Sequence, residues 1–341
     1  MHHFRFSQQT PQNSSELGAR ILATKSNFPA LQGMSLYKLT LNPQAVREPH
    51  WHANADELGY CTKGEVLVSL YGNGNEREVF LITEGQAFFI PSGALHSLEN
   101  VGKGPAELIL QFSNEEPEDF SLSAVFSMFS NAVLGNTWGL PSSYFNALTR
   151  PNREAFIVKP QSPTPIGDAA QYHSKYQYAL ETSSPLITNE GGTAQVARQD
   201  VWPILKNQAL YLLDLTDKGM REPHWHPETA ELGYVQAGKG RMSIFSPDGK
   251  IDTYEMESGD IYFIPRAYPH HIENLSTTDN LKILIFFDNP MPKDIGFTGS
   301  VKSNPDPVTA ALFNAPPNFF EKLPRYFEDL FIVKRFNPLD S

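Results

Sequence analysis

Arg47-Glu48-Pro49-His50-Trp51-His52, with Glu57 five residues on, returns almost unchanged as Arg221-Glu222-Pro223-His224-Trp225-His226 with Glu231. A third histidine follows each copy, His96 after the first and His270 after the second. Self-similarity of this kind fixes the organisation before any element is assigned. Between Arg47 and Gly64, 11 of 18 residues are identical at an offset of 174. The same offset pairs Gly18 with Gly192, Pro29 with Pro203, Tyr37 with Tyr211, Gly85 with Gly259, Pro91 with Pro265, Asn100 with Asn274 and Phe112 with Phe286. No insertion is expected within that range, which implies two copies of one fold with equal strand lengths.

Outward from the repeated stretch the chain reads as short, alternating, β-rich runs: Glu57 to Tyr60, Val66 to Tyr71, Val79 to Ile82, Ala87 to Ile90 and Leu108 to Phe112. Glycine, asparagine and proline punctuate them, and Tyr71 to Asn75 and Ser246 to Gly249 read as hairpin turns. The spacing predicts jelly-rolls or barrels, in which closure removes exposed edges. Val133 to Leu148 and Val308 to Leu323 match at an offset of 175 and predict short outer helices, with Asp306 as an N-cap ahead of Pro307. The expected divisions are an N-terminal arm at 1–17, a first barrel domain at 18–150, a linker at 151–185 rich in proline, and a second barrel domain at 186–341.

Composition narrows the function. The formal net charge of −11 argues against nucleic acid or an anionic membrane surface as partner. No run reaches the 18 or so apolar residues that a membrane-spanning helix needs. Cys61 is the single cysteine, which excludes an intrachain disulfide and thiolate-rich metal sites. Met1 to Gly18 carries no signal-peptide pattern, so the cytoplasm is the expected location.

On a strand His50 and His52 project to one face while Trp51 faces away. Glu57 and His96 must then come from neighbouring strands to complete three imidazoles and a carboxylate, and His224, His226, Glu231 and His270 repeat the set. Such a ligand set suits a divalent ion, and manganese, iron, nickel, zinc and copper all fit it. A lone His-x-His is as often an ordinary pair of histidines, but six of the ten histidines fall in these two matched sets. His173 and His271 have no such partners and read as structural, His2 and His3 read as disordered, and the arm at 1–17 is expected either to pack on the other half or to fray. Arg47 and Arg221 stand an odd number of residues before the first histidine. Each is read either as a rim salt bridge to Glu48 or Glu222, or as a carboxylate clamp turned inward by a bend at the proline.

These residues resemble the cupin superfamily, whose motifs are G-x5-H-x-H-x3-4-E-x6-G and G-x5-P-x-G-x2-H-x3-N. His50, His52, Glu57 and Gly64 match the first, although Val46 and Arg47 replace the leading glycine region. Gly85, Pro91, Gly93, His96 and Asn100 match the second in full, and the second copy departs from it at Ala267. The resemblance covers nearly the whole chain and implies an all-β protein of two tandem cupin jelly-roll barrels with short flanking helices. Among bicupins the Arg-Glu-x-His-Trp-His segments look most like the oxalate decarboxylases, which are manganese proteins.

That resemblance implies one Mn2+ per domain, oxalate or another small carboxylate held by Arg47 or Arg221, dioxygen as a participant, and a homo-oligomer built through the outer helices. It also implies a lid glutamate that protonates the product, in a segment reading FSENSTF. Here that segment runs Phe120 to Phe126, and Leu122 stands where the acid is expected. A second family glutamate is replaced by Ile285. Glu115, Glu116, Glu118 and Asp119 lie just upstream as candidate substitutes, or as an ordinary solvated acidic run. Three readings follow: an oxalate decarboxylase-like enzyme whose missing acid shifts it toward oxidation, another metal-dependent oxygenase or isomerase with a larger apolar substrate, and a non-catalytic storage or binding bicupin.

Overall fold

The computed structural model describes residues 2–162, 164–165, 167, 173–316 and 318–338. Residues 163, 166 and 168–172, within the stretch expected to be a linker, lie outside that range. Two compact units result: Thr10–Pro29 with Gly33–Ala179, and Met1–Gln9 with Ala30–Gln32 and Leu180–Ser341. Each is built from a seven-stranded and a six-stranded sheet, and every strand pairing is antiparallel.

In the first unit the larger sheet runs Gln177–Tyr178, Ala87–Ile90, Glu57–Lys63, Ala106–Phe112, Ser35–Leu41, Gly18–Ala23 and Asn13–Ser15. The other runs Asp119–Ser121, Val46–His52, Leu95–Asn100, Glu65–Tyr71 and Arg77–Thr83, with Ile157–Val158 also on Val46–His52. The second unit repeats this order. Its core takes Tyr211, Leu213, Val235 and Ile283 from one sheet and Met242, Ile244, Met256 and Ile272 from the other. Interdigitating inner faces of this kind are what a jelly-roll buries.

The offset of 174 holds through Asn100 and Asn274 and then changes. Glu57 pairs with Phe112, whereas Glu231 pairs with Phe287, so the partner of Phe112 is Phe287 and that of Phe286 is Gln111. The expectation of an uninterrupted register is corrected by one residue, added in the loop between Asn274 and Leu281. A surface loop absorbs an insertion at little cost, whereas a strand would turn its side chains to the wrong face.

His2, His3 and Phe4 of the arm are held in place. His3 and Phe4 pair with Tyr262 and Ile261, and His3 Nε2 lies 2.9 Å from Asp260 while its ring stacks on Tyr254. His2 Nδ1 lies 3.2 Å from Asp252, so the disorder expected of these two histidines is corrected. In the first unit the same edge position is filled by Gln177–Tyr178 on Ala87 and Phe88, 174 residues along the chain from His3 and Phe4. His173 is exposed and His271 is half-buried beside Glu273.

The outer helices are shorter than the matched stretches. Asn131–Trp138 starts at Ser130, whose hydroxyl accepts from Val133 N, and ends at Gly139 with φ +68°. Asp306–Leu312 has Pro305 at its cap; Asp306 is the first helical residue, and its carboxylate accepts from Lys302 Nζ at 2.5 Å. The cap expected at Asp306 is thus displaced by one position. A helix at Leu122–Met128, capped by Ser121, was not foreseen. Among the described residues no helix is long and apolar enough to cross a membrane.

Candidate metal centres

Val46–His52 carries two of the candidate ligands because alternation buries both His50 and His52 and leaves half-buried Trp51 stacked on Phe120. His96 lies directly across from His50 on the next strand, and Leu98 across from Arg47. Two steps on one strand thus oppose three on the other, which is a β-bulge at Glu48 and Pro49. The extra residue turns Arg47 to the same face as His50, where it is buried. Arg221 and His224 repeat this against Ile272 and His270.

In both units the structure brings the four candidate ligands together. His50, His52, Glu57 and His96 offer donor atoms within 4.8 Å of one another, as do His224, His226, Glu231 and His270, and all eight residues are buried. Each imidazole has its Nδ1 engaged from outside. His50 donates to Glu48 O at 2.7 Å and His96 to Ala94 O at 2.9 Å, while His52 Nδ1 meets Asp119 Oδ1 at 2.7 Å. Nε2 is therefore the nitrogen left for the centre, an orientation that outer hydrogen bonds characteristically impose on metal-binding histidines. His224, His226 and His270 are held likewise by Glu222 O, Asp294 and Tyr268 O.

Orphaned atoms test the fit of an ion. Nε2 of His96 and of His270, together with Glu57 Oε1, are buried with no hydrogen-bond partner among the described residues. His96 Nε2 and Glu57 Oε2 stand 3.3 Å apart without hydrogen-bond geometry. Buried polar atoms left unpaired are costly, and a divalent cation at the convergence point would satisfy them together.

Electrostatics divide the imidazoles of the metal-free centre. Burial, Arg47 and the neighbouring imidazoles push His50 well below the ordinary histidine value, keeping it neutral. For His52 burial also opposes charge, but the Asp119 and Glu57 carboxylates outweigh it and raise the ring to about 9. Burial opposes ionisation of Glu57, yet His52 and His96 hold its carboxyl down to about 2. The second centre repeats the pattern, with His224 lowered, His226 raised to about 9 and Glu231 lowered.

Neither arginine forms the rim salt bridge to its neighbouring glutamate. Arg47 Nη2 donates to Asp119 Oδ2 at 3.1 Å and its guanidinium lies over the Phe156 ring, while Arg221 pairs with Asp294 and lies over Phe331. The Glu48 carboxylate instead accepts from Phe156 N and Ser123 N, and Glu222 from Phe331 N and Thr298. Arg221 lines one cavity with His224, His226, Glu231, Tyr211, Leu213, Ile285 and Phe287. Ile285 thus stands in the wall where the family's second glutamate is expected.

Asp119 and Asp294 are the residues that reading the sequence undervalued. Asp119 sits across from His52 on the strand Asp119–Ser121 and receives Arg20 as well as Arg47. Burial alone would raise its carboxyl; His52 and the two arginines hold it well below the usual range. The signal was present, since the offset of 175 shared by the outer helices also pairs Asp119 with Asp294. Of the other acids upstream of the lid, Glu115 and Glu116 bind Gly33 N and Ser26 at the surface. Leu122 lines an apolar groove with Pro49, Phe126 and Leu148.

The sequence matches the family described as Cupin over residues 4–143 and again over 178–319. Oxalate decarboxylase OxdC of Bacillus subtilis (strain 168) is 28% identical over 297 residues, 84% of this chain and 76% of that protein. A probable oxalate decarboxylase of Arthroderma benhamiae is 26% identical over 285 residues, 82% and 70% of the two chains. Oxalate oxidase GF-2.8 of Triticum aestivum is 34% identical over 88 residues, 25% of this chain and 39% of that one. A solved oxalate decarboxylase superposes with a TM-score of 0.87 at 25% identity, covering 98% of this chain and 89% of the other. The same score is reached by a structure of the Bacillus subtilis enzyme described through its Mn(II) centres. With both halves matched and both four-residue clusters in place, this chain belongs to the cupin family, as a bicupin resembling oxalate decarboxylase.

Proposed function

We propose that the protein is a manganese-dependent bicupin enzyme that binds oxalate or another small carboxylate at these centres and oxidises it, with formate a minor product. The observation that carries the reading is a buried arginine, Arg221, lining one cavity with His224, His226 and Glu231 of the second four-residue cluster. His50, His52, Glu57 and His96 would hold one ion, and His224, His226, Glu231 and His270 the other. Bound manganese supplies one-electron redox chemistry and a position for a carboxylate oxygen. Arg47 and Arg221 hold the far carboxylate, and Asp119 and Asp294 fix each guanidinium and the adjacent imidazole in one orientation. The buried shell excludes water around the substrate.

Product choice rests on a proton. Decarboxylation turns oxalate and one proton into carbon dioxide and formate, so an acid must reach the carbon left behind. Leu122 cannot supply it, and Asp119 is committed to His52 and two arginines. Oxidation turns oxalate, dioxygen and two protons into two carbon dioxide molecules and hydrogen peroxide, and needs no acid at that carbon. The test is manganese-loaded protein with oxalate under air. Carbon dioxide with peroxide and little formate is expected, and no product of any kind discards the oxalate reading. A Leu122→Glu variant is expected to gain formate.

One observation bears on the second reading, a larger and less polar substrate, which the cavity of about 10 Å³ at the second centre would have to widen to admit. Leu213, Ile272, Ile285 and Phe287 wall the cavity of the second centre. Metal-loaded protein inert toward oxalate would turn attention to that chemistry. The proposal includes a cytoplasmic location, in keeping with a Cys61 that is buried and unpaired. It also includes a homo-oligomer built through the outer helices, where Trp138 and Phe313 are exposed.

A further inference from the structure

The two centres differ beside the candidate glutamate. Phe88 and Tyr262 are 174 residues apart and occupy the same place: each lies across from a glycine, Gly59 or Gly233, two residues after the candidate glutamate. The glycines are required, because a Cβ on either would fall 2.2 or 2.1 Å from the ring's Cζ. Each ring therefore crosses beneath the backbone toward its glutamate. In the second unit the phenol of Tyr262 donates to Glu231 Oε1 at 2.6 Å, while His226 Nε2 meets Oε2 at 2.8 Å. In the first unit Phe88 has no hydroxyl, and Glu57 Oε1 is buried without a hydrogen-bond partner.

We propose that Tyr262 is a positioning residue that commits Oε1 of Glu231 and leaves Oε2 for the metal, whereas Glu57, whose Oε2 meets His52 Nε2 at 2.9 Å in the same way, keeps its Oε1 uncommitted beside Phe88. The two centres of one chain are thereby made inequivalent. A hydrogen bond to an ionised carboxylate is short, strong and directional, so it fixes the carboxyl plane and draws charge from the carboxylate. Glu57, lacking that restraint, can turn to offer a second oxygen. The first centre is therefore the more adaptable and more electron-rich of the two, and the second the more rigid. This inference rests on the metal reading of both clusters.

Manganese(II) titration followed by electron paramagnetic resonance tests it, because the fine structure of each ion reports the symmetry of its own ligands. The parent protein is expected to give two distinguishable Mn(II) signals. Tyr262→Phe is expected to move the second signal toward the first and to weaken metal binding at the second centre by roughly tenfold or more, the usual effect of removing such an outer hydrogen bond. Phe88→Tyr is expected to move the first signal toward the second. A variant that is merely less stable would lower the melting temperature of chelated protein without making the two signals converge. Two parent signals that neither substitution moves would overturn the inference alone. No bound Mn(II) in the parent would overturn the metal reading and the inference with it.

Discussion

At the level of single residues, conformation and charge are set by a few side chains whose roles differ from their first appearance. Gly93 has φ +76° and its N donates to His52 O at 2.9 Å; Ala267 keeps φ +61° and the same bond to His226 O. The glycine-to-alanine departure from the family motif therefore leaves the turn intact under strain. Left-handed backbone costs a non-glycine residue about 1 kcal/mol, so Ala267→Gly is expected to raise stability by about that amount in denaturant unfolding. Asp119→Asn removes the charge that holds His52 and Arg47, and metal affinity at the first centre is expected to fall roughly tenfold to a hundredfold, read by titration. The ligands were legible from the sequence because strand alternation and an exact repeat act on residue type alone. Asp119 was not, because its register follows the later offset and an acidic run from Glu115 to Asp119 reads as solvated when only its last member turns inward.

Elements show where local rules held and where tertiary pairing decided. The inward turn of Arg47 came from the bulge at Glu48 and Pro49, a bend that the proline announced. Asn100 and Asn274 explain the terminal asparagine of the motif: Asn100 Nδ2 donates to Leu41 O and Gly104 O, and its Oδ1 accepts from Gly102 N. Gly102 and Gly104 belong to the loop that carries the inserted residue in the second copy and Leu41 ends the strand Ser35–Leu41, so the asparagine pins a strand end while the loop varies. Asn100→Ala leaves buried carbonyls unpaired and is expected to cost about 1–3 kcal/mol, measured by thermal melting. His3–Phe4 and Gln177–Tyr178 were unreadable as strands, since two residues carry no periodicity and their order comes from the edge they join. The helix Leu122–Met128 was missed for a related reason: seven residues with one cap at Ser121 are marginal alone, and Glu48, which accepts from Ser123 N, ties them to the strand bearing His50.

Across the molecule, opposed histidine shifts predict how metal-free protein responds to pH. His52 and His226 are raised from 6.5 to about 9, so their stabilising contribution is complete below pH 6.5 and is lost as pH rises through 9. His50 and His224 are lowered well below 6.5, so they bind protons more readily unfolded, and stability falls as pH drops below 6.5. Glu57, lowered from 4.5 to about 2, adds a contribution that is complete above 4.5 and lost toward 2. Chelated protein is therefore expected to melt highest near pH 6.5, and added metal to flatten the alkaline limb by requiring neutral imidazoles. The doubled architecture was legible because the repeat fixed it; the exchange of short edge strands was not, because it depends on where distant segments meet. Metal analysis of manganese-loaded, desalted protein tests the central claim most directly. The account predicts two ions per chain, falling to one in a His50→Ala, His52→Ala double variant and likewise in His224→Ala, His226→Ala. Fewer than one ion in the parent, or a content that neither double variant changes, would contradict it.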